Sequence, residues 1–559
     1  MLLVSALFVF SPSSAWAISF EIPSRQDSLR GGNGTHRSWW DVQHYSLSIA
    51  FDTAKKAIMG SNVITATITK APTDSLQIDL QELLFLDSVI FDGQPLAYFK
   101  EGNVWWILFP FNRYKIGEKL QLTFYYHGKP RMAKRAPWDG GMIWTKDSMG
   151  NAWVSVACQG LGASSWWPCK DYQGDEPDSG MQIQFYIPSN NDEVPISTIP
   201  IITNGNNAYW QTTKTIPFPL HQSAKDYLKL TAKVVNPINT YNVTFYYGNY
   251  HTWKDTMIGE NGVLPLTFAP LYYNEALARK QFTVVKEMLR CFEYWMGPYP
   301  FYEDGYKLVE APFLGMEHQS AIAYGNSYLM GYKGADRSHT GVGMLFDFII
   351  VHESGHEWFG NNITAADIAD NWIHEGFTTY TETLFAEWIA GKEKAFEYCR
   401  GEWKNIRNDR PVIGDYAVQD EGSGDKYDKG AAVVHMIRMI LNDDEKFRSL
   451  LRQMNQDFYH RVVSSQEIET YIIQKTGYNF NPLFNQYLRT SQIPQLEYYI
   501  QHKDLYYRFT NIVAEFTLPL EVRIGKHQKK IQPTAEWQKI KWKHGYGVSF
   551  SKDFLIQVK

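Results

Sequence analysis

His352 and His356 stand four residues apart in Val351-His352-Glu353-Ser354-Gly355-His356, and eighteen further residues separate His356 from Glu375. On a helix, two histidines at that spacing lie one turn apart on the same face and can share one metal ion. Glu353, next to the first histidine, can reach a water at that metal without being a ligand itself. Two imidazoles and one carboxylate leave the fourth position of a zinc ion open for water, which is the catalytic and not the structural arrangement. The run from Met344 to Val351 is strongly apolar and predicts a buried helix. Buried histidines and glutamates need partners, and a metal supplies one. The alternative is an amphipathic helix with two solvent-facing histidines, and the apolar run speaks against it. Gly360-Asn361-Asn362 predicts the end of this helix, and Glu375 opens a second helical run.

The elements that must position these groups are legible in outline. From about 40 to 250, Tyr45, Leu47, Ile49 and Phe51, then Leu76, Ile78 and Leu80, then Leu120, Leu122, Phe124 and Tyr126 alternate with polar or small residues. Period-two alternation broken by Asp92-Gly93, His127-Gly128 and Asn204-Gly205 predicts antiparallel sheets with one buried face. From about 256 to 490 the pattern is mainly helical, with long apolar-periodic segments at 273–294, 342–359, 371–390 and 429–453. Ser464-Ser465-Gln466-Glu467 predicts a capping box at the start of another helix. From Ile493 onward alternation returns, with Phe516, Leu518, Leu520, Val522 and Ile524 on one face. Pro519 suits an edge strand there. The expected division is a leader at 1–17, an N-terminal β domain at 18–255, a catalytic domain at 256–490 and a small C-terminal β-sandwich at 491–559.

Composition bounds the rest. A chain of 559 residues with 44% hydrophobic content holds several domains with sizeable cores. Its 35 tyrosines and 19 tryptophans suit sheets and extended grooves, most of them as core residues. A net charge of −5 without any dense Lys/Arg cluster gives no support to nucleic acid or an anionic membrane as partner. Leu2 to Phe10 has the length of a signal-peptide core, and Ala15-Trp16-Ala17 fits a cleavage site, although the usual basic residues before the core are missing. No later stretch has eighteen consecutive apolar residues, so export to the periplasm or the extracellular space as a soluble protein is expected. Cys158, Cys169, Cys291 and Cys399 are too few for a disulfide framework, though an exported chain could pair them. Asn33, Asn242 and Asn362 each open an N-x-Thr glycosylation pattern.

The zinc-site residues and their flanks resemble the M1 family of zinc aminopeptidases, the gluzincins related to aminopeptidase N and leukotriene A4 hydrolase. His352, Glu353, His356 and Glu375 match the family's signature, as do the runs from His356 to Asn361 and from Trp372 to Glu382. Cys158-Gln159 with Trp166-Trp167-Pro168-Cys169-Lys170-Asp171 looks like the family's substrate-side segment. Gly315-Met316-Glu317 is similar to its exopeptidase motif, and Tyr427-Asp428-Lys429-Gly430-Ala431 to the segment carrying its catalytic tyrosine. The resemblance spans roughly residues 40 to 490. Leu314, His318 and His374 depart from the family's usual residues.

The resemblance implies a multidomain α+β protein with a thermolysin-like catalytic domain, one zinc ion and peptide hydrolysis at free N-termini. Glu353 would be the general base, and Tyr427 the donor to the oxyanion. Glu317 would read the substrate's ammonium with Gln159 beside it, and Gly315 would let the backbone approach the peptide. If His318 lay beside Glu317, its protonation below about pH 6.5 would weaken amine binding. Glu382, seven residues after Glu375, would orient a zinc-ligating histidine. Each has a plainer alternative: a packed tyrosine, an exposed loop carboxylate, a loop glutamine that meets only water, a solvated helix carboxylate. Two other functions stay open on sequence alone. One is an endopeptidase or other hydrolase on the same site, the other a non-catalytic binding protein, which would not need Glu353.

Overall fold

The computed structural model describes residues 23–188, 201–213, 216, 227–542 and 547–559. The expected leader at 1–17 lies outside them. Among the described residues, no helix is long and apolar enough to cross a membrane.

Tyr45, Leu47, Ile49 and Phe51 are all buried on the strand Trp40–Asp52. This strand pairs antiparallel with Ala57–Ile68, Trp40 opposite Ile68, and parallel with Met181–Pro188, Tyr45 opposite Met181. The eight-stranded sheet they share is therefore mixed, where the alternation predicted antiparallel pairing. Alternation reports which face is buried, not strand direction. The parallel neighbour arrives after a long excursion through two smaller sheets, so no hairpin dictates its sense. One of these sheets carries Ala152–Ala157 and leads into the loop that holds Gln159.

A five-stranded sheet forms the floor of the catalytic region, in the order Trp253–Gly259, Gly262–Ala269, Tyr306–Glu310, Ile322–Tyr324, Gly315–Met316. The expected boundary at 255/256 falls inside its first strand, so this hairpin goes with the catalytic region. Residues on the sheet alternate between two hydrophobic cores. Leu308, Leu314 and Ile322 pack into the core that runs through the helices and the C-terminal sheets. Val309, Met316 and Ala323 pack into the core of the N-terminal β domain. One sheet buried on both faces thus joins the domains, and Glu317 follows directly from its edge strand.

The helices are shorter than their apolar patterns. Segment 273–294 divides into Glu275–Gln281 and Val284–Met296. Segment 429–453 divides into Asp428–Leu441 and Asp444–Asp457, because Asn442 adopts the left-handed conformation and Asp443 caps the next helix through Lys446 N–H. Apolar residues continue across that break because both helices pack into the same core. In 342–359 the α-helix is Phe348–Gly355, started by the buried Asp347, whose side chain accepts from Ile349 and Ile350 N–H. It ends at Gly355, earlier than Gly360 predicted, with His356 still in helical conformation as its C-cap. The capping box of Ser464 and Glu467 is formed.

Beyond Ile493 lie two small sheets, one of four strands and one of three. Phe516, Leu518, Leu520, Val522 and Ile524 are all buried. The strand Leu520–Ile524 is the middle one of its sheet, not an edge. Pro519 is tolerated because it precedes the first paired residue. All four cysteines are buried free thiols. Asn242 and Asn362 are buried too, hydrogen-bonded to Asn361 at 2.7 Å and Asn455 at 3.1 Å, so of the three glycosylation patterns only Asn33 is exposed.

Candidate active site

The helix Phe348–Gly355 and the helix Trp372–Ala390 present His352, His356 and Glu375 to one point. The two Nε2 atoms are 3.3 Å apart, and Glu375 Oε2 lies 3.3 Å from that of His356 and 3.7 Å from that of His352. The outer nitrogens are committed elsewhere. His356 Nδ1 lies 3.0 Å from the Phe359 carbonyl, which only accepts, so Nδ1 carries the proton. His352 Nδ1 donates to Glu382 Oε1 at 2.7 Å, and Tyr398 donates to the other oxygen of Glu382 at 2.5 Å. Both Nε2 lone pairs are thereby turned inward, the tautomer that metal ligands need. The contact expected between Glu382 and one of the two histidines is present.

Charge around this point supports a cation. Burial opposes protonation of His352, yet Glu375, Glu382 and Glu353 together push it up to about 10. His356 is raised against the same burial by Glu317 and Glu375. Two protonated imidazoles would set like charges and two N–H donors face to face at 3.3 Å. A divalent cation bound by neutral imidazoles satisfies the same carboxylates without that conflict. The buried Glu375 Oε2 has no hydrogen-bond partner among the described residues, and with the two Nε2 atoms it falls within a 4.8 Å group suited to a metal ion. The residues present fit zinc.

Glu353 points into the same cavity, of about 800 Å³. Burial pushes its carboxyl up to about 7, with Glu317 and Glu375 adding and the two histidines opposing. Its nearest constraint is Gly315: a Cβ there would lie 2.4 Å from Glu353 Oε1. Gly315 therefore makes room for the carboxylate of Glu353, a more specific duty than the backbone approach expected of it.

Glu317 is buried, not an exposed loop carboxylate. Gln159 Nε2 donates to its Oε1 at 2.6 Å, and the Tyr241 hydroxyl donates to the same oxygen at 3.2 Å. Two donors on one oxygen leave Oε2 for a substrate. Gln159 comes from the N-terminal β domain, so its loop does reach the neighbouring site. Tyr241 was not singled out from sequence. It sits in a short 3₁₀ turn capped by Asn239, and nothing local marks it.

Tyr427 immediately precedes the helix Asp428–Leu441. Burial, then the charges of Glu375 and Glu317, hold its hydroxyl well above the usual phenol range, so it remains a donor at neutral pH. A glycine pair brings it there. A Cβ on Gly376 would come within 2.9 Å of the Gly430 backbone, and one on Gly430 within 2.8 Å of Gly376 Cα. The helices bearing Glu375 and Tyr427 thus touch backbone to backbone. Arg337, also unforeseen, closes the same wall by pairing with Asp428 and Glu402.

Of the three departures from the family pattern, Leu314 lines the cavity. His318 and His374 do not. His318 Nδ1 lies 2.8 Å from the Tyr246 hydroxyl in the buried interface, and burial lowers its pKa to about 3. It stays neutral across the working range, so the expected weakening of amine binding below pH 6.5 is withdrawn. Its ring packs against Tyr246 and Phe313, away from the cavity lining. His374 Nε2 accepts from Ala365 N–H at 2.7 Å and is likewise held neutral by burial.

Residues 281–487 match the model of the peptidase family M1 domain. Aminopeptidase B of Rattus norvegicus is 26% identical over 244 residues, 39% of this chain and 36% of that protein. Leukotriene A-4 hydrolase of Xenopus laevis is 25% identical, over 34% of this chain and 32% of that protein. The matches thus span about a third of these relatives' length. The crystal structure of an M1 zinc metallopeptidase from Deinococcus radiodurans shares the fold with a TM-score of 0.61 at 21% identity, covering 79% of this chain and 92% of that one. A variant of that metallopeptidase bound to a Tyr-Ser-Ala substrate gives a TM-score of 0.62 at 20% identity, covering 79% and 93%. The clustered histidines and glutamate and the shared fold agree with the match of residues 281–487 to the peptidase family M1 domain.

Proposed function

We propose that the protein is a zinc-dependent aminopeptidase that removes N-terminal residues from peptides with a free α-amine. The observation that carries this reading is Glu317: a buried carboxylate beside the metal group, one oxygen held by Gln159 and Tyr241 and the other free. An endopeptidase has no substrate ammonium to meet that buried carboxylate. When bound to His352, His356 and Glu375, zinc supplies Lewis acidity for activating water and polarising a carbonyl. Glu353 accepts the proton of the attacking water and returns it to the leaving amine. It has no protein hydrogen bond to break first among the described residues, and burial raises its affinity for a proton. Tyr427 donates its hydroxyl proton to the developing oxyanion as a hydrogen bond, without losing it. Glu382 and the Phe359 carbonyl keep the imidazoles in their ligating tautomer. Export under the pattern at 1–17 belongs to this proposal and rests on that pattern alone.

The test is Glu353→Gln. The amide keeps the size of the side chain and cannot take a proton. Hydrolysis of leucine p-nitroanilide should fall below detection while about one zinc per chain is retained. His352→Ala should lose the zinc as well. Turnover near wild type in Glu353→Gln would remove Glu353 as the base.

A further inference from the structure

Three arginine or lysine side chains line the cavity: Arg337, Arg407 and Lys426. Two are neutralised in place. Arg337 donates to both oxygens of Asp428 at 3.0 and 3.1 Å and to Glu402 at 3.2 Å. Lys426 donates to Glu421 at 2.5 Å. The Arg407 guanidinium has no ion pair or hydrogen bond among the described residues.

Its position is nonetheless set. Arg407 N–H and Asn408 N–H donate to the two oxygens of the buried Asp425 at 2.9 and 2.6 Å. The guanidinium packs over Gly424, where a Cβ would lie 3.0 Å from Nη2. Gly424 lines the cavity three residues before Tyr427. The nearby carboxylates have other tasks. Asp425 is occupied by the two backbone amides. Asp409 accepts from the Ser423 hydroxyl and from Arg410 N–H. The cavity thus holds an anion suited to a substrate's amine, Glu317, and one cation, Arg407, that makes no ion pair among the described residues although Asp409 lies within its electrostatic reach.

We propose that Arg407 is a subsite for a carboxylate on the leaving portion of the substrate. The inference rests on the aminopeptidase reading. Arg407 lines the same cavity as Glu317 and Tyr427, and with the ammonium assigned to Glu317, Arg407 is assigned to the portion beyond the cut. A guanidinium suits a carboxylate there because its fork matches both oxygens. Two sources share this chemistry: the C-terminus of a short peptide, and an acidic side chain of a longer one.

The experiment measures kcat/KM for matched pairs. Leu-Gly-Gly as free acid against its amide reports the C-terminal source. Leu-Glu-Gly-amide against Leu-Gln-Gly-amide reports the side-chain source. Wild type should favour the carboxylate member of at least one pair by about 3- to 30-fold at low salt, the lower figure reflecting solvent exposure. Raising the salt should shrink that ratio. Arg407→Ala should bring it to about one, and Arg407→Glu should invert it. Each ratio is taken within one preparation, so a loss of folded protein cancels. If wild type cleaves leucine p-nitroanilide but neither pair differs, or if the ratio survives Arg407→Ala, the subsite does not exist. A preference for glutamyl over glutaminyl p-nitroanilide that Arg407→Ala abolishes would place Arg407 on the wrong side of the scissile bond and overturn the proposal. If wild type cleaves no free-amine substrate, the aminopeptidase reading itself fails and Arg407 falls with it.

Discussion

Glu317→Gln separates charge from shape at the amine site. Gln159 and Tyr241 both donate to Oε1 of Glu317, at 2.6 and 3.2 Å. In the variant, the amide oxygen can take the place of Oε1. Its NH₂ then faces the substrate's ammonium, donor against donor. The opposite orientation sets that NH₂ against Gln159 and Tyr241, which already donate. In either case the ammonium loses its counter-charge in a buried site. A hydrogen bond to a charged group is worth about 1.5–3 kcal/mol, so kcat/KM for free-amine substrates should fall by about 10- to 150-fold. Leucine p-nitroanilide measures this loss. Any residual cleavage of N-acetyl-leucine p-nitroanilide should be nearly unchanged, because no ammonium is present to miss its partner. An equal loss on both substrates would mean that Glu317 acts through the fold of the site and not through the amine. No loss on either would return the endopeptidase reading.

Two further outcomes follow from packing and burial. Gly376→Ala raises intrinsic helix propensity by about 1 kcal/mol, yet its Cβ would meet the Gly430 backbone at 2.9 Å. Overpacking of this kind costs about 1–3 kcal/mol, so a lowered Tm and at least about a tenfold lower kcat are expected as Tyr427 shifts from Glu375. A raised Tm with unchanged kcat would refute the close contact. Burial pushes Glu176 up to about 7, with Asp175 and Asp178 adding and Thr364 and Asn239 opposing. Between about pH 4.5 and 7 the folded protein holds a proton that the unfolded chain releases, so this carboxyl costs stability progressively as pH rises through that window. Glu176→Gln should therefore gain on wild type in urea denaturation from pH 5 to pH 8, by up to about 3 kcal/mol. A difference independent of pH would show that the carboxyl does not titrate there.

The sequence by itself determined the candidate metal group. His352, Glu353 and His356 are related by one helical turn, and Glu375 lies in the first turn of the next helix, so local geometry suffices to place their faces. Glu382 was within reach for the same reason, two turns along the helix of Glu375 and on its face. The β character of the N-terminal domain and the burial of Tyr45, Leu47, Ile49 and Phe51 were equally local. What needed the tertiary structure has no local cause. Strand direction, and hence the mixed sheet, depends on which distant segment arrives beside Trp40–Asp52. The break at Asn442 was hidden because both flanking helices supply apolar residues to the same core. The proposed amine site joins Gln159, Tyr241 and Glu317 across separations of 158 and 76 residues, and periodicity carries no information over such distances. His318 shows the limit most plainly. Adjacency to Glu317 suggested a shared environment, and only the packing of Tyr246 against it decided that this histidine belongs to the interface between domains and not to the cavity lining.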